Sequence, residues 1–159
     1  MFHLENLGAN WLLTVGNFKS TFNAFSSQGI VLAANNIVLV TNDDGVYSPG
    51  LKVLYEAVKG VCKAIVVAPE SPKSATSLSL TLHKPLRVNK VKIGSELFYA
   101  VSGNPSDAIH LALLKIFKDK PSLVLSGINL GDNTSTQVIL TSGTVGACFQ
   151  AALLGFKGV

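Results

Sequence analysis

Two adjacent carboxylates, Asp43 and Asp44, stand in the run Thr41-Asn42-Asp43-Asp44-Gly45. Neighbouring carboxylates repel each other, and a bound cation removes that cost. Ser74 offers a hydroxyl from a segment that also holds Ser71, Lys73, Thr76 and Ser77, and Asn129 offers an amide oxygen at the end of Ser126-Gly127-Ile128-Asn129. Asp43, Asp44, Ser74 and Asn129 are all hard oxygen donors, a set that suits Mg²⁺, Mn²⁺ or Ca²⁺ better than zinc, which prefers His and Cys. Each has an ordinary reading as well. Asp-Gly makes a tight turn, Ser74 is one of several loop hydroxyls, and Asn129 can cap or brace a turn. Thr141-Ser142-Gly143-Thr144 opens an apolar helical run. Ser142 or Thr144 can serve there as a plain N-cap. The alternative is a phosphate cradle of exposed amides, a close-approach glycine and two hydroxyls, and the acidic cluster elsewhere in the chain favours it.

These residues need a scaffold that brings them together. Ile37-Val38-Leu39-Val40 is a short continuous apolar run, as expected of a strand buried on both faces. Ser48-Pro49-Gly50 starts a helix whose Leu51, Leu54, Tyr55 and Val58 share one face, with Gly60 as its stop. Ala64–Ala68 is a second buried strand, followed by a long Ser/Thr-rich loop from Glu70 to Leu82. Leu86–Val91 and Leu97–Val101 read as a hairpin around Ile93-Gly94-Ser95. Pro105–Phe117 is expected to be a helix, Leu123–Leu125 a buried strand and Thr144–Leu154 a last helix. Gly155–Val159 reads as a turn toward a strand that does not form, which leaves the sheet edge open. Strands alternating with helices predict an α/β, three-layer αβα sandwich with a mostly parallel sheet. In such a sheet ligands bind at the carboxyl ends of the strands, which is where all three clusters fall.

Composition fits a single domain from residue 36 to 159 behind an extension, residues 1–35, of different character and unknown role. The chain has 159 residues, 48% of them hydrophobic and 14% charged, with a formal charge of +4. That balance argues against disorder and against a nucleic-acid-binding tail. Cys62 and Cys148 are the only cysteines, far apart and without metal-ligand spacing, so no disulfide framework is expected and a reducing cytoplasm is the expected compartment. No apolar run reaches the roughly eighteen residues of a membrane span. Val31-Leu32-Ala33 resembles a cleavage site, but the preceding Thr21–Gly29 is polar and Met1–Leu13 holds no Lys or Arg, against a secretion signal. The histidines carry no chemical signal, and there is no P-loop.

Taken in order, these motifs resemble the SurE survival-protein family of metal-dependent nucleoside monophosphatases. The resemblance rests on T-N-D-D-G (41–45), S-P-G (48–50), V-V-A-P (66–69), S-x-S-L-T-L (77–82), S-G-I-N-x-G-x-N (126–133) and S-G-T-V-G-A (142–147). It implies a Rossmann-like fold and one divalent ion, Mg²⁺ or Mn²⁺, held by Asp43, Asp44, Ser74 and Asn129. It also implies phosphate contacts from Asn133, Ser142, Gly143 and Thr144, and a homodimer or higher oligomer. The expected reaction is hydrolysis of nucleoside 5′- and 3′-monophosphates, with Asp43 and Asp44 as catalytic carboxylates and Asp43 orienting or deprotonating water. The family's pattern runs on past Val159, so this chain is expected to carry only its N-terminal part. Gly103-Asn104-Pro105 stands where many relatives have Gly-Thr-Pro, a difference that bears on base or ribose contacts. The rival readings are an inactive phosphate- or nucleotide-binding fragment and a receiver-type Mg²⁺-binding signalling domain. The receiver reading needs an aspartate just after a central strand, where this chain has Ser126 and Asn129.

Overall fold

The computed structural model describes residues 36–159, and the expected extension, 1–35, lies outside the described residues. Five strands form one sheet: β1 (Ile37–Thr41), β2 (Lys63–Pro69), β3 (Val88–Ile93), β4 (Glu96–Val101) and β5 (Leu123–Ser126), in the order β3-β4-β2-β1-β5. Only β3 runs antiparallel, as the hairpin partner of β4; the other pairings are parallel. Central β1 pairs on both sides, with β2 and with β5, and its Val38, Leu39 and Val40 are fully buried. This is why it reads as an unbroken apolar run rather than an alternating one.

Among the described residues the α-helices are α1 (Pro49–Lys59), α2 (Pro105–Leu111), α3 (Thr136–Thr141) and α4 (Gly143–Leu153); α1 covers one face of the sheet and α2 and α4 the other, while α3 buries no residue. Helix α1 sets Leu51, Leu54, Tyr55 and Val58 against Val38, Val40, Val66 and Phe98 on one face. On the other, Ala108, Ile109, Ala147 and Ala151 of α2 and α4 pack on Leu39, Val67 and Val124. The result is the expected three-layer sandwich. Each fully buried large apolar side chain, such as Leu39, Leu51 or Phe98, contributes about 1.5–3 kcal/mol relative to exposure.

Helix α1 starts as its sequence implies: the Ser48 hydroxyl accepts from Leu51 N at 3.3 Å, and Pro49 occupies the first turn. Three local expectations need correcting. Helix α2 ends at Leu111 and passes into a π-helical turn, Ala112–Ile116, closed by Phe117 N donating to Ala112 O. Helix α3 was not expected, because Thr136-Gln137-Val138-Ile139-Leu140-Thr141 is rich in β-branched residues of low helix propensity and leaves Leu140 61% exposed, so no core-facing stripe marks it. The chain end is not an open edge either. After Gly155 turns at φ 82°, Lys157–Val159 runs beside β5, with Val124 N donating to Lys157 O (2.9 Å) and Ser126 N to Val159 O (2.8 Å). Once Gly155 had turned the chain, the unpaired N–H and C=O groups of β5 became its hydrogen-bond partners.

Strand order reverses between β1 and β5. The chain moves from β1 through α1 to β2 on one side, and returns by α2 on the opposite face to β5 on the other side. Loops leaving the carboxyl ends of β1 and β5 therefore diverge and leave a crevice between them. Thr41 pairs with Ser126, so the two loops start level. The packing beside the crevice is close: a Cβ on Gly50 would lie 2.1 Å from the Ile128 carbonyl oxygen. Alanine is favoured over glycine in a helix by about 0.8–1.0 kcal/mol, but overpacking against backbone costs about 1–3 kcal/mol. Gly50→Ala is therefore expected to lower the urea midpoint. Gly60 has no atom within 4 Å of a Cβ and an ordinary φ of −79°, so Gly60→Ala should gain about 0.4–1 kcal/mol. Equal shifts in the two variants would show that the α1–Ile128 contact is not tight.

Candidate functional site

The turn after β1 is held from within. Asn42 is fully buried; its Nδ2 donates to Ser48 Oγ at 2.6 Å, and its Oδ1 accepts from Gly45 N at 3.2 Å. Gly45 takes φ 100°, which a side chain would disfavour. This bracing fixes Asp43 and Asp44 at the mouth of the crevice, pointing to different neighbours.

Asp43 is only 6% exposed. Its Oδ1 accepts a short hydrogen bond from the Thr144 hydroxyl in the first turn of α4, and that same Oγ1 lies 3.2 Å from Asn129 Oδ1. One hydroxyl has a single proton to donate, so Asp43 and Asn129 present acceptor oxygens to one point. Asn129 is turned this way by its own amide, which donates from Nδ2 to Gly131 O at 3.3 Å. Asp44 Oδ2 accepts from Leu130 N at 2.8 Å, which ties the β1 turn to the β5 loop. Burial raises the Asp44 carboxyl above its ordinary pKa; the Leu130 N–H opposes that rise and the Asp43 charge adds to it.

The Ser/Thr loop reaches the same place. Lys73 N donates to Asp43 O at 2.7 Å, Thr76 Oγ1 donates to Lys73 O at 2.8 Å, and Ser77 N donates to Thr141 O at 3.0 Å. Ser74, one residue past the Asp43 contact, is exposed, and its side chain makes no hydrogen bond to Asp43, Asp44 or Asn129. Asn133 is half-buried on the β5 loop and likewise makes no hydrogen bond to them. The structure thus gathers Asp43, Asn129 and Thr144 in direct contact, holds Asp44 beside them, and brings Ser74 near through its backbone neighbour.

Ser142 is the N-cap of α4, with Oγ accepting from Val145 N at 3.2 Å, which answers the Ser142-or-Thr144 alternative. The first backbone bond of the helix runs from Gly146 N to Ser142 O, so the Gly143 and Thr144 amides precede the intrahelical ladder and carry the positive end of its dipole. Gly143 must be glycine: a Cβ would lie 2.7 Å from Asp43 Cβ and 2.9 Å from Asp43 Oδ2. Below the site, the Thr41 and Ser126 hydroxyls are buried without a partner among the described residues. Strand alternation turns both toward the α4 layer, as it does Leu39 and Val124. Among the described residues no group of three or more His, Cys, Asp and Glu is placed to hold a metal ion. An oxygen-only set built from two carboxylates, an amide and a hydroxyl fits a hard cation.

Two contributors were not singled out from the sequence. Asn42 reads as one more turn residue, and Asp107 as an ordinary acidic residue in a first helical turn. Asp107 carries the one available signal, the Asn104-x-x-Asp107 spacing of a capping box.

Residues 38–159 match the family model described as Survival protein SurE. A 5′-nucleotidase SurE from Thermofilum pendens is 59% identical over 122 residues, covering 77% of this chain and 46% of the relative. One from Hyperthermus butylicus is 56% identical over 129 residues, covering 80% and 45%. The crystal structure of the SurE protein from Aquifex aeolicus superposes with a TM-score of 0.69 at 40% identity, over 77% of this chain and 48% of that one. The chain spans about half the length of the curated relatives it matches.

The Asp43–Thr144 contact can be measured without any ligand. In cation-free buffer, the stability losses of Asp43→Asn and Thr144→Val should be non-additive in the double variant, with a coupling of about 0.5–3 kcal/mol by urea denaturation. Simple additivity would mean that the hydroxyl does not hold the carboxylate.

Proposed function

Because the chain belongs to the SurE survival-protein family, we propose that it hydrolyses the phosphomonoester of nucleoside 5′- and 3′-monophosphates with one divalent cation, Mg²⁺ or Mn²⁺. The observation that carries this reading is the meeting of Asp43, Asn129 and Thr144 oxygens at the N-terminus of α4. Asp43, Asp44, Ser74 and Asn129 would hold the cation, which when bound supplies Lewis acidity toward the phosphoryl group.

The chain's own residues do the rest. The Gly143 and Thr144 amides, with Ser142, Thr144 and Asn133 around them, receive the phosphate at the positive end of α4. They stabilise charge as it grows on the phosphoryl oxygens. Asp43 orients or deprotonates the attacking water, with Asp44 beside it, and no covalent phosphoenzyme is required. One helix N-terminus accommodates one phosphoryl group, so a monophosphate suits the site better than a triphosphate chain. The substrate is a small nucleotide rather than a nucleic-acid duplex, and no membrane partner is proposed. Among the described residues no helix is long and apolar enough to cross a membrane, and the proposed setting is cytoplasmic, as a homodimer or larger homo-oligomer.

Phosphate release from AMP should require Mg²⁺ or Mn²⁺, stop in EDTA, and exceed release from ATP at equal concentration. Asp43→Asn and Asn129→Ala should remain folded and weaken both cation binding and turnover. Full activity of Asp43→Asn in EDTA would contradict the proposal. Cation binding without any phosphate release from the wild-type chain would favour the alternative of a phosphate- or nucleotide-binding fragment.

Gly143→Ala should abolish turnover, since its Cβ would displace the Asp43 carboxylate, whereas Gly94→Ala at the distant hairpin turn should leave turnover near wild type. Turnover retained in Gly143→Ala would show that Asp43 does not act from the position it holds here.

A further inference from the structure

Asp107 is 2% exposed, and no site chemistry uses it. Its carboxylate faces the Ser/Thr loop rather than solvent. Oδ1 accepts from Thr81 N at 3.0 Å; Oδ2 accepts from the Thr81 hydroxyl at 2.7 Å and from Asn104 N at 2.8 Å. Thr81 is the last polar residue of the Glu70–Leu82 loop that carries Ser74. A second tie lies beside it: Asn104 Nδ2 donates to Ser79 Oγ at 2.9 Å. The Gly-Asn-Pro departure therefore bears on the loop. Gly103 makes room for this corner, since a Cβ there would lie 2.4 Å from Asp107 Oδ2.

Between its anchors the loop takes a costly path. Ala75 and Ser77, on either side of Thr76, have φ of 57° and 48°, the left-handed region that non-glycine residues avoid. Such residues persist only where the surroundings over-determine them. The determining contacts are at both ends and in the middle: Lys73 N on Asp43 O, Ser77 N on Thr141 O with Ser77 Oγ donating to Leu140 O at 2.7 Å, and Thr81 on Asp107. Gly146 admits the middle contact, because a Cβ there would lie 2.1 Å from Ser77 O.

We propose that Asp107 is a positioning residue whose buried carboxylate latches the far end of the Ser74 loop, and thereby holds Ser74 in register with Asp43 and the N-terminus of α4. The inference rests on the proposed role of Ser74 as a cation ligand. Releasing the latch lets Ala75 and Ser77 relax, which moves Ser74 although Asp107 touches neither cation nor substrate. Groups that orient a ligand in this indirect way typically matter by about 10–100-fold in metal affinity or activity.

The test uses the 159-residue chain and compares Asp107→Asn, Thr81→Val, the hydroxyl-retaining Thr81→Ser, and Tyr55→Phe, which removes a hydrogen bond to Glu96 on the opposite face. Amide hydrogen exchange over residues 73–82, Mn²⁺ affinity by calorimetry and thermal melts are read for each. Asp107→Asn and Thr81→Val should melt cooperatively, exchange faster through 73–82, and bind Mn²⁺ about 10–100-fold more weakly. Thr81→Ser and Tyr55→Phe should match wild type in exchange and affinity. Wild-type loop protection and Mn²⁺ affinity in folded Asp107→Asn and Thr81→Val would overturn the proposal, and so would an equal loss of affinity in Tyr55→Phe. Should Asp107→Asn fail to fold, the Thr81→Val and Thr81→Ser pair decides. If the wild-type chain takes up no Mn²⁺, the functional reading of the site fails, while loop exchange still decides what Asp107 holds.

Discussion

A carboxylate almost removed from water must be satisfied by donors or by a cation, and at Asp43 that requirement organises the molecule. Within the described chain its side chain has one donor, the Thr144 hydroxyl, and its backbone carbonyl has another, the Lys73 amide. These come from the first turn of α4 and from the Ser/Thr loop. Asp44, next along, takes the Leu130 amide of the β5 loop. Segments far apart in sequence are thus fastened to two consecutive residues. Each of these acceptors is buried or half-buried, so losing its donor leaves an unsatisfied polar group at a cost of about 1–3 kcal/mol. In the proposed function a hard cation would take the place of the missing donors.

Topology supplies the space in which this can happen. Had β5 been added beyond β2 rather than beside β1, no crevice would open where the Asp43 and Asn129 loops diverge. The layers then approach unusually closely around it, through Gly50 against Ile128, Gly143 against Asp43 and Gly146 against Ser77. At each of these, the missing Cβ brings backbone or carboxylate within reach of its neighbour. Family membership and the match to a SurE crystal structure agree with this architecture.

Much of the arrangement is legible in the amino-acid sequence because it follows from short-range rules. Val38–Val40 announces a strand buried on both faces, Ser48-Pro49 a helix start, and the placement of Asp43, Ser74 and Asn129 after successive apolar runs implies convergence at one sheet edge. What stays hidden depends on distant partners. Helix α3 packs too little apolar surface to leave a periodic pattern, and the pairing of Lys157–Val159 with β5 depends on a sheet edge set by topology. Asp107 looks like a routine helix-start acid, since nothing local tells that Thr81, 26 residues earlier, will donate to it. The Asp43–Thr144 contact spans 101 residues and is equally silent in the sequence, although both residues are individually recognisable from their motifs.

The central claim is that oxygen donors from separate strand ends converge to hold one hard cation. Crystals of this chain soaked in Mn²⁺ and measured near the manganese absorption edge test it most directly. A single anomalous peak bounded by the Asp43 and Asp44 carboxylates, the Ser74 hydroxyl and the Asn129 amide oxygen is the predicted result. A well-ordered site without a peak, or a peak held by other residues, would contradict it.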